Sequence, residues 1–134
     1  MLEIDDASSK AISSSIDEAL KLIDEKKDIR IIVSSVGKVY NKIRGWSELT
    51  ETPDNGFVSF VFMMIIATIG GALEGKEEEW FELNKELTAE CLGHVKNLLK
   101  GIKASLTSKS FDEAVTALKT GTFVINQTIV RMSD

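Results

Sequence analysis

The sequence predicts an all-α protein: an antiparallel bundle of four or five helices, formed as a single domain over residues 1–134. Proline occurs once, and good helix formers fill the segments in which apolar residues recur every three or four positions. Two segments define the bundle further, a very apolar helix at about residues 57–74 and a long helix at about residues 77–107. The connections between segments are short, which favours antiparallel neighbours.

The first helix is predicted from about Asp6 to Lys26, with one apolar stripe at helical spacing. The stripe consists of Ile12, Ile16, Ala19, Leu20 and Ile23. Asp28 is suited to cap a second helix, which is predicted to end at Gly45. The β-branched run over residues 29–35 also fits a short strand, and the sequence leaves that alternative open.

The third helix has no polar face. The run FVSFVFMMIIATIGGAL, residues 57–73, contains no charged side chain. A helix that is apolar on all sides is either buried all round or surrounded by lipid. At 1.5 Å per residue this run spans about 26 Å, which is less than the hydrocarbon core of about 30 Å. An acidic cluster follows it, so membrane insertion is not expected.

The apolar helix is instead expected to contact a second copy of the chain, and a dimer is favoured. Left exposed, its large side chains would form an apolar patch of roughly several hundred Å². Soluble monomers rarely carry a patch of that size. Small residues at intervals of four allow close helix contact. The candidate interface consists of Phe57, Phe60, Met63, Met64, Ala67, Gly71 and Gly75. The alternative is a central helix in a compact monomer, surrounded by the other helices.

The C-terminal part is predicted as two further helices. The apolar positions of the long helix are Trp80, Leu83, Leu87, Cys91, Val95, Leu98 and Ile102. A capping box from Ser110 to Glu113 begins the last helix. Its apolar positions follow a heptad, formed by Phe111, Val115, Leu118, Thr122, Ile125, Ile129 and Met132.

Charge is segregated along the chain, although the net charge is only −5. Residues 26–46 carry +5 and residues 91–109 carry +4. Basic side chains on a helix face can contact the phosphates of a nucleic acid. The candidate basic patch consists of Lys38, Lys42, Arg44, Lys96, Lys100 and Lys103. A nucleic-acid-associated accessory subunit is therefore the second functional interpretation, although the aromatic residues near these positions are few for base stacking.

No catalytic, cofactor-binding or metal-ligating signature is predicted. Glu86, Glu90 and His94 share a helix face, but the chain has one histidine and lacks the paired Glu-x-x-His motifs of di-metal bundles. Cys91 is the only cysteine, and without an orienting partner it is expected to be a small buried hydrophobe. A small-molecule or metal-dependent enzyme is therefore the third interpretation.

The first interpretation is a non-catalytic, self-associating structural or interaction subunit, whose biochemical activity the sequence does not indicate. The N-terminal residues lack a basic region followed by an apolar run, so a secretory signal is not expected. A single cysteine gives no disulfide framework. A cytoplasmic location is expected on both grounds, with no cofactor.

Overall fold

The computed structural model describes residues 1–132 and contains, over that range, helices and no strand. The helices are α1 (Asp6–Asp24), α2 (Ile29–Leu49), α3 (Pro53–Leu73), α4 (Glu78–Leu83), α5 (Lys85–Ser108) and α6 (Phe111–Met132). The all-α prediction is confirmed. Residues 29–35 belong to α2, so the alternative of a short strand is wrong. A strand there would need a neighbour to satisfy its backbone groups, and the described residues provide none.

The long helices form a closed ring in the order α1, α2, α3, α6, α5, with α5 returning to α1. Neighbours joined by short connections run antiparallel. The pair α1 and α5 is also antiparallel, because Asp24 binds Lys96 while Asp17, earlier in α1, binds Lys103, later in α5. The prediction that neighbouring helices run antiparallel is therefore correct for every neighbouring pair of long helices in the ring except one.

The exception is the pair α3 and α6, which run in the same direction. A closed ring with an odd number of helices cannot alternate direction throughout, so one neighbouring pair must be parallel. The rings of Phe57 and Phe111, each near the start of its helix, meet edge to face with centroids 5.8 Å apart. This parallel pair places two apolar helices side by side in the wall of the ring.

The core lies inside the ring and receives an inward stripe from each long helix. Its largest fully buried side chains include Ile12 and Ile16 from α1, Val39 and Ile43 from α2, Phe62 from α3, Leu99 and Ile102 from α5, and Leu118 and Ile125 from α6. Helices α5 and α6 approach most closely, because glycines lie between them. A Cβ atom at Gly101 would lie 2.7 Å from the Cβ of Ala117, and one at Gly121 would lie 2.9 Å from the Cδ1 of Leu98.

The N-terminal segment closes one end of the ring, a feature that the sequence analysis did not predict. Leu2 and Ile4 are buried, and the backbone between them is held by the buried side chain of Asn55. The Asn55 amide nitrogen donates to the Glu3 carbonyl at 2.9 Å, and the Glu3 N–H donates to the Asn55 amide oxygen at 3.2 Å. The Trp46 indole N–H donates to the same Glu3 carbonyl at 2.8 Å.

The long helix predicted over residues 77–107 is in fact two helices, α4 and α5, separated at Asn84. The side-chain amide of Asn84 donates to the Trp80 carbonyl at 2.9 Å and so competes with the helical backbone ladder. As a consequence Leu83 is 79% exposed, and its prediction as a core position is wrong.

The boundaries of α2 and α3 also differ from the prediction. Helix α2 continues through Gly45 to Leu49, because Trp46 extends its buried stripe. Helix α3 begins at Pro53, where the hydroxyl of Thr52 accepts the Asn55 N–H at 3.1 Å. The connection between the two helices is therefore residues 50–52, shorter than the predicted end at Gly45 and start at about residue 57 imply.

The buried stripe of α6 is shifted relative to the predicted heptad. The buried positions are Ala114, Leu118, Gly121, Ile125, Thr128 and Met132, which share only some members with the prediction. The shift follows from the glycines at positions 101 and 121, which let the two helices approach closely. Helix α6 therefore turns its smallest residues toward α5, because close packing there outweighs burial of Val115 and Thr122.

Candidate interaction surface

Helix α3 lies in the wall of the ring, between α2 and α6, and only its inner face is in the core. On the outer face, Phe57, Phe60 and Met64 are 46%, 59% and 52% exposed. The alternative of a central helix surrounded by the other helices is therefore wrong. The inner stripes of the neighbouring helices fill the interior of the ring, so α3 contributes one side to the core and presents the other to the surroundings.

The exposed side of α3 forms a continuous stripe, which we call the α3 ridge. The ridge consists of Phe57, Phe60, Met64, Ala67 and Gly71, at alternating steps of three and four. Its N-terminal half carries large side chains and its C-terminal half carries small ones. Asp54 and Glu74 are the nearest charged residues along the helix, one at each end of the ridge.

Two residues of the predicted interface do not belong to the ridge. Met63 is half-buried. Gly75 follows the end of α3 and has a positive φ of 83°, which makes it a turn residue after the helix. The prediction that Gly71 and Gly75 share a helix face is therefore wrong, because the second glycine supplies the left-handed conformation that ends the helix.

Helix α6 extends the apolar surface beyond the ridge. Phe123 and Val130 are 66% and 65% exposed, and both were missed because they lie outside the heptad. They line an open depression of about 920 Å³ together with Phe57 and Val61 of α3. We call the ridge together with Phe123 and Val130 the α3–α6 face. The sequence carried one signal for this surface: Phe123 and Val130 are large apolar residues on the side of the last helix that is otherwise polar.

A concave surface lies beside the small half of the ridge, between α2 and α3. This α2–α3 groove has a volume of about 640 Å³ and is lined by residues that include Val33, Gly37, Ile66, Gly70 and Gly71. A Cβ atom added at any of the three glycines would meet nothing within 4 Å. The same chain therefore presents an apolar ridge and an adjacent groove of mixed lining, in which Arg30, Ser34 and Glu74 accompany the apolar residues.

The residues considered for metal binding do not form a site. Both carboxylate oxygens of Glu90 accept from the Arg131 guanidinium at 3.0 Å, so this carboxylate is held by α6. Over residues 1–132, no group of three or more His, Cys, Asp or Glu side chains is arranged to hold a metal ion. Cys91 is buried, and burial raises the pKa of its thiol, which favours the neutral and unreactive form.

The structure does not bring the candidate basic patch together. Helix α1 lies between α2 and α5 in the ring, so Lys38, Lys42 and Arg44 are separated from the lysines of α5. Lys96 binds Asp24 at 2.5 Å and Lys103 binds Asp17 at 2.7 Å, both across the interface with α1. Arg44 binds Glu48 at 2.8 Å. Lys38 and Lys42 of α2 and Lys100 of α5 are exposed, but their two helices are not neighbours in the ring.

By length and composition, α3 could also cross a membrane, and a third of its most apolar window is buried in the structure. Its inner face carries Asn55 and Ser59, which are buried against the rest of the bundle. A second copy of the chain and a lipid bilayer are therefore the two environments that would cover the outer face of α3.

Comparison with known proteins gives no match to this chain among family models, curated proteins or solved structures. The functional inference consequently rests on the geometry of the α3–α6 face.

Proposed function

We propose that the protein is a non-catalytic, cytoplasmic structural subunit that self-associates as a dimer through the α3–α6 face. The observation that carries this proposal is the exposure of large apolar side chains on two adjacent helices. Taking about 200 Å² for a whole phenylalanine, the exposed fractions of Phe57, Phe60 and Phe123 leave about 340 Å² of aromatic surface in water. Met64 and Val130 add to the same surface.

This surface is comparable in size with the largest apolar patch of a typical monomer. The largest apolar patch on a typical monomer covers about 300–600 Å² and often has a function. The exposed phenylalanines alone reach that range, and two of them, Phe57 and Phe123, line the same depression. Burial against a partner therefore offers a substantial gain, at about 25 cal/mol for each Å² removed from water before the costs of association.

The face is also large enough for a specific dimer. From Phe57 to Leu73 it is about 24 Å long, and two adjacent helices of about 10 Å diameter make it about 20 Å wide. Two such faces in contact would bury about 1,000 Å² in total, which is where specific protein interfaces begin. The charged residues at the ends of the ridge, Asp54 and Glu74, contribute to the polar rim typical of an interface, and Lys119 lies in the depression itself.

The test is the substitution Phe60→Glu, with Ile31→Glu as a matched control. Ile31 is 51% exposed, similar to Phe60, but it lies on α2 beside α1 and outside the face. In a dimer, the glutamate at position 60 would be an unpaired charge in a desolvated interface, which costs several kcal/mol, on the order of the whole association energy. In the monomer the same charge is hydrated.

Sedimentation and circular dichroism together distinguish the outcomes. We expect the parent and Ile31→Glu to sediment as dimers and Phe60→Glu to sediment as a monomer with unchanged helicity. A parent that is monomeric at about 100 μM, far above the dissociation constant of ordinary stable dimers, would overturn the proposal. Recovery of the parent only with membranes, or its binding to phosphatidylcholine vesicles in preference to itself, would show that lipid covers the face.

A further inference from the structure

We propose that the two copies pair through α3 in antiparallel directions, with Phe60 of each copy seated over Gly71 of the other at the edge of the α2–α3 groove. This inference rests on the proposed self-association and adds its geometry. The observations that carry it are the uneven ridge and the groove beside it.

The ridge has the spacing of a coiled-coil seam, in which alternate steps of three and four face a partner helix. A parallel pair would set Phe60 against Phe60 and Gly71 against Gly71. The aromatic half would then force the helices apart, while the small half would leave an unfilled gap. Both effects are costly, because interfaces of stable complexes pack about as densely as protein interiors.

An antiparallel pair removes this conflict. If Met64 of one copy lies opposite Ala67 of the other, Phe60 lies opposite Gly71, since each position is four residues further along in opposite directions. The four central layers, formed by Phe60 with Gly71 and by Met64 with Ala67, then each contain one large and one small side chain, and Phe57 lies opposite Glu74 at each end. The contact is also self-complementary about a two-fold axis, as the symmetry of a homodimer requires.

The groove supplies the space that the Phe60 ring needs. Gly70 and Gly71 form one wall and Gly37 lies on the other, with no neighbouring atom within 4 Å of a Cβ at any of them. Val33 and Ile66 contribute apolar surface to the lining, which also includes Arg30, Ser34 and Glu74. An aromatic side chain that enters a pocket of the partner is a common form of a binding hot spot.

The same chain carries both halves of this contact, the large side chains in one half of the ridge and the small ones beside the groove in the other. The antiparallel register that sets Met64 against Ala67 forms the Phe60–Gly71 contact twice, about 16 Å apart along the helices. This self-complementarity, together with an area sufficient for a specific dimer, identifies a second copy of this chain as the occupant of the groove.

Cysteine cross-linking tests the direction of pairing. The single substitutions Phe60→Cys and Gly71→Cys are made in a Cys91→Ala background, and one variant carries a size tag. After oxidation of the mixture we expect a disulfide between the Phe60→Cys chain and the Gly71→Cys chain. Each variant alone should not cross-link, because its two cysteines would be about 16 Å apart along the helices, beyond the roughly 7 Å limit between Cα atoms.

A second test of the pairing changes the size of a side chain and requires no disulfide. Gly71→Leu adds a side chain in open space, so the monomer should fold normally, but the leucine should block Phe60 of the partner and weaken the dimer at least tenfold. Phe60→Ala in the same chain should recover part of that loss, because the blocked ring is removed. Gly93→Leu, another helical glycine with nothing within 4 Å, is the control and should leave the dissociation constant unchanged.

The results separate this inference from the proposed function. A monomeric parent would overturn self-association itself. A dimeric parent whose variants each cross-link only with themselves would show parallel pairing and overturn the antiparallel inference alone. A dimeric parent that neither cross-links in the mixture nor responds to Gly71→Leu would show that another surface mediates association.

Discussion

Gly93 and Gly101 lie in the same helix, α5, yet alanine at the two positions is expected to change stability in opposite directions. A Cβ at Gly93 would meet nothing within 4 Å, whereas one at Gly101 would lie 2.7 Å from the Cβ of Ala117 on α6. The neighbour at Gly101 has no rotamer through which it could move away. The two helices would have to separate to admit the added methyl group.

The magnitude follows from two contributions. Replacing a glycine inside a helix by alanine stabilises it by about 0.5–1 kcal/mol, and this gain applies at both sites. Overpacking a close contact costs about 1–3 kcal/mol, and this cost applies only at Gly101. Gly93→Ala should therefore be more stable than the parent, and Gly101→Ala less stable than Gly93→Ala by about 1–3 kcal/mol.

The assay is urea unfolding followed by circular dichroism, at one fixed protein concentration because dimerisation would add to the apparent stability. Adding Ala117→Gly to Gly101→Ala restores space between the helices and should recover part of the loss. Equal effects of alanine at Gly93 and Gly101 would refute the close approach of α5 and α6 on which the reasoning depends.

Three further predictions concern the core. Leu118→Ala and Ile125→Ala should each cost about 2–5 kcal/mol of unfolding free energy, and values below about 0.5 kcal/mol at both sites would contradict their burial. Asn55→Ala removes the side-chain partner of the Glu3 N–H and of the Thr50 carbonyl, while the Glu3 carbonyl keeps its bond from Trp46, and should cost about 1–3 kcal/mol for each group left unpaired. Exposed Asn41→Ala should be neutral in the same unfolding assay. Buried Cys91 should react with a thiol reagent only after unfolding. Because burial raises the pKa of this thiol in the folded state, the folded protein keeps a proton that the unfolded thiol loses at high pH. The free energy of unfolding should therefore fall as the pH rises above about 8.5.

The helical segments and several of their ends were predictable because they depend on local sequence. The Asp28 carboxylate accepts the Arg30 N–H at 2.8 Å, and the Ser110 hydroxyl accepts the Glu113 N–H at 3.1 Å, as predicted. The second bond of the predicted capping box is replaced, because the Glu113 carboxylate accepts from the Ser108 hydroxyl and the Ser110 N–H donates to the Ser105 carbonyl. The candidate basic patch was not brought together, because periodicity along one helix carries no information on which helix becomes its neighbour.

The sequence by itself determined that the chain is helical and that residues 57–73 are apolar on every side. It also indicated that large apolar side chains would need a second surface to cover them. Which side of α3 faces the core was decided only by the tertiary structure. A helix with a polar face carries that information in its own pattern, because burial of charge is costly. Helix α3 has no such face. Only its packing between α2 and α6 determines that Phe57, Phe60 and Met64 lie on the outer surface and not in the core.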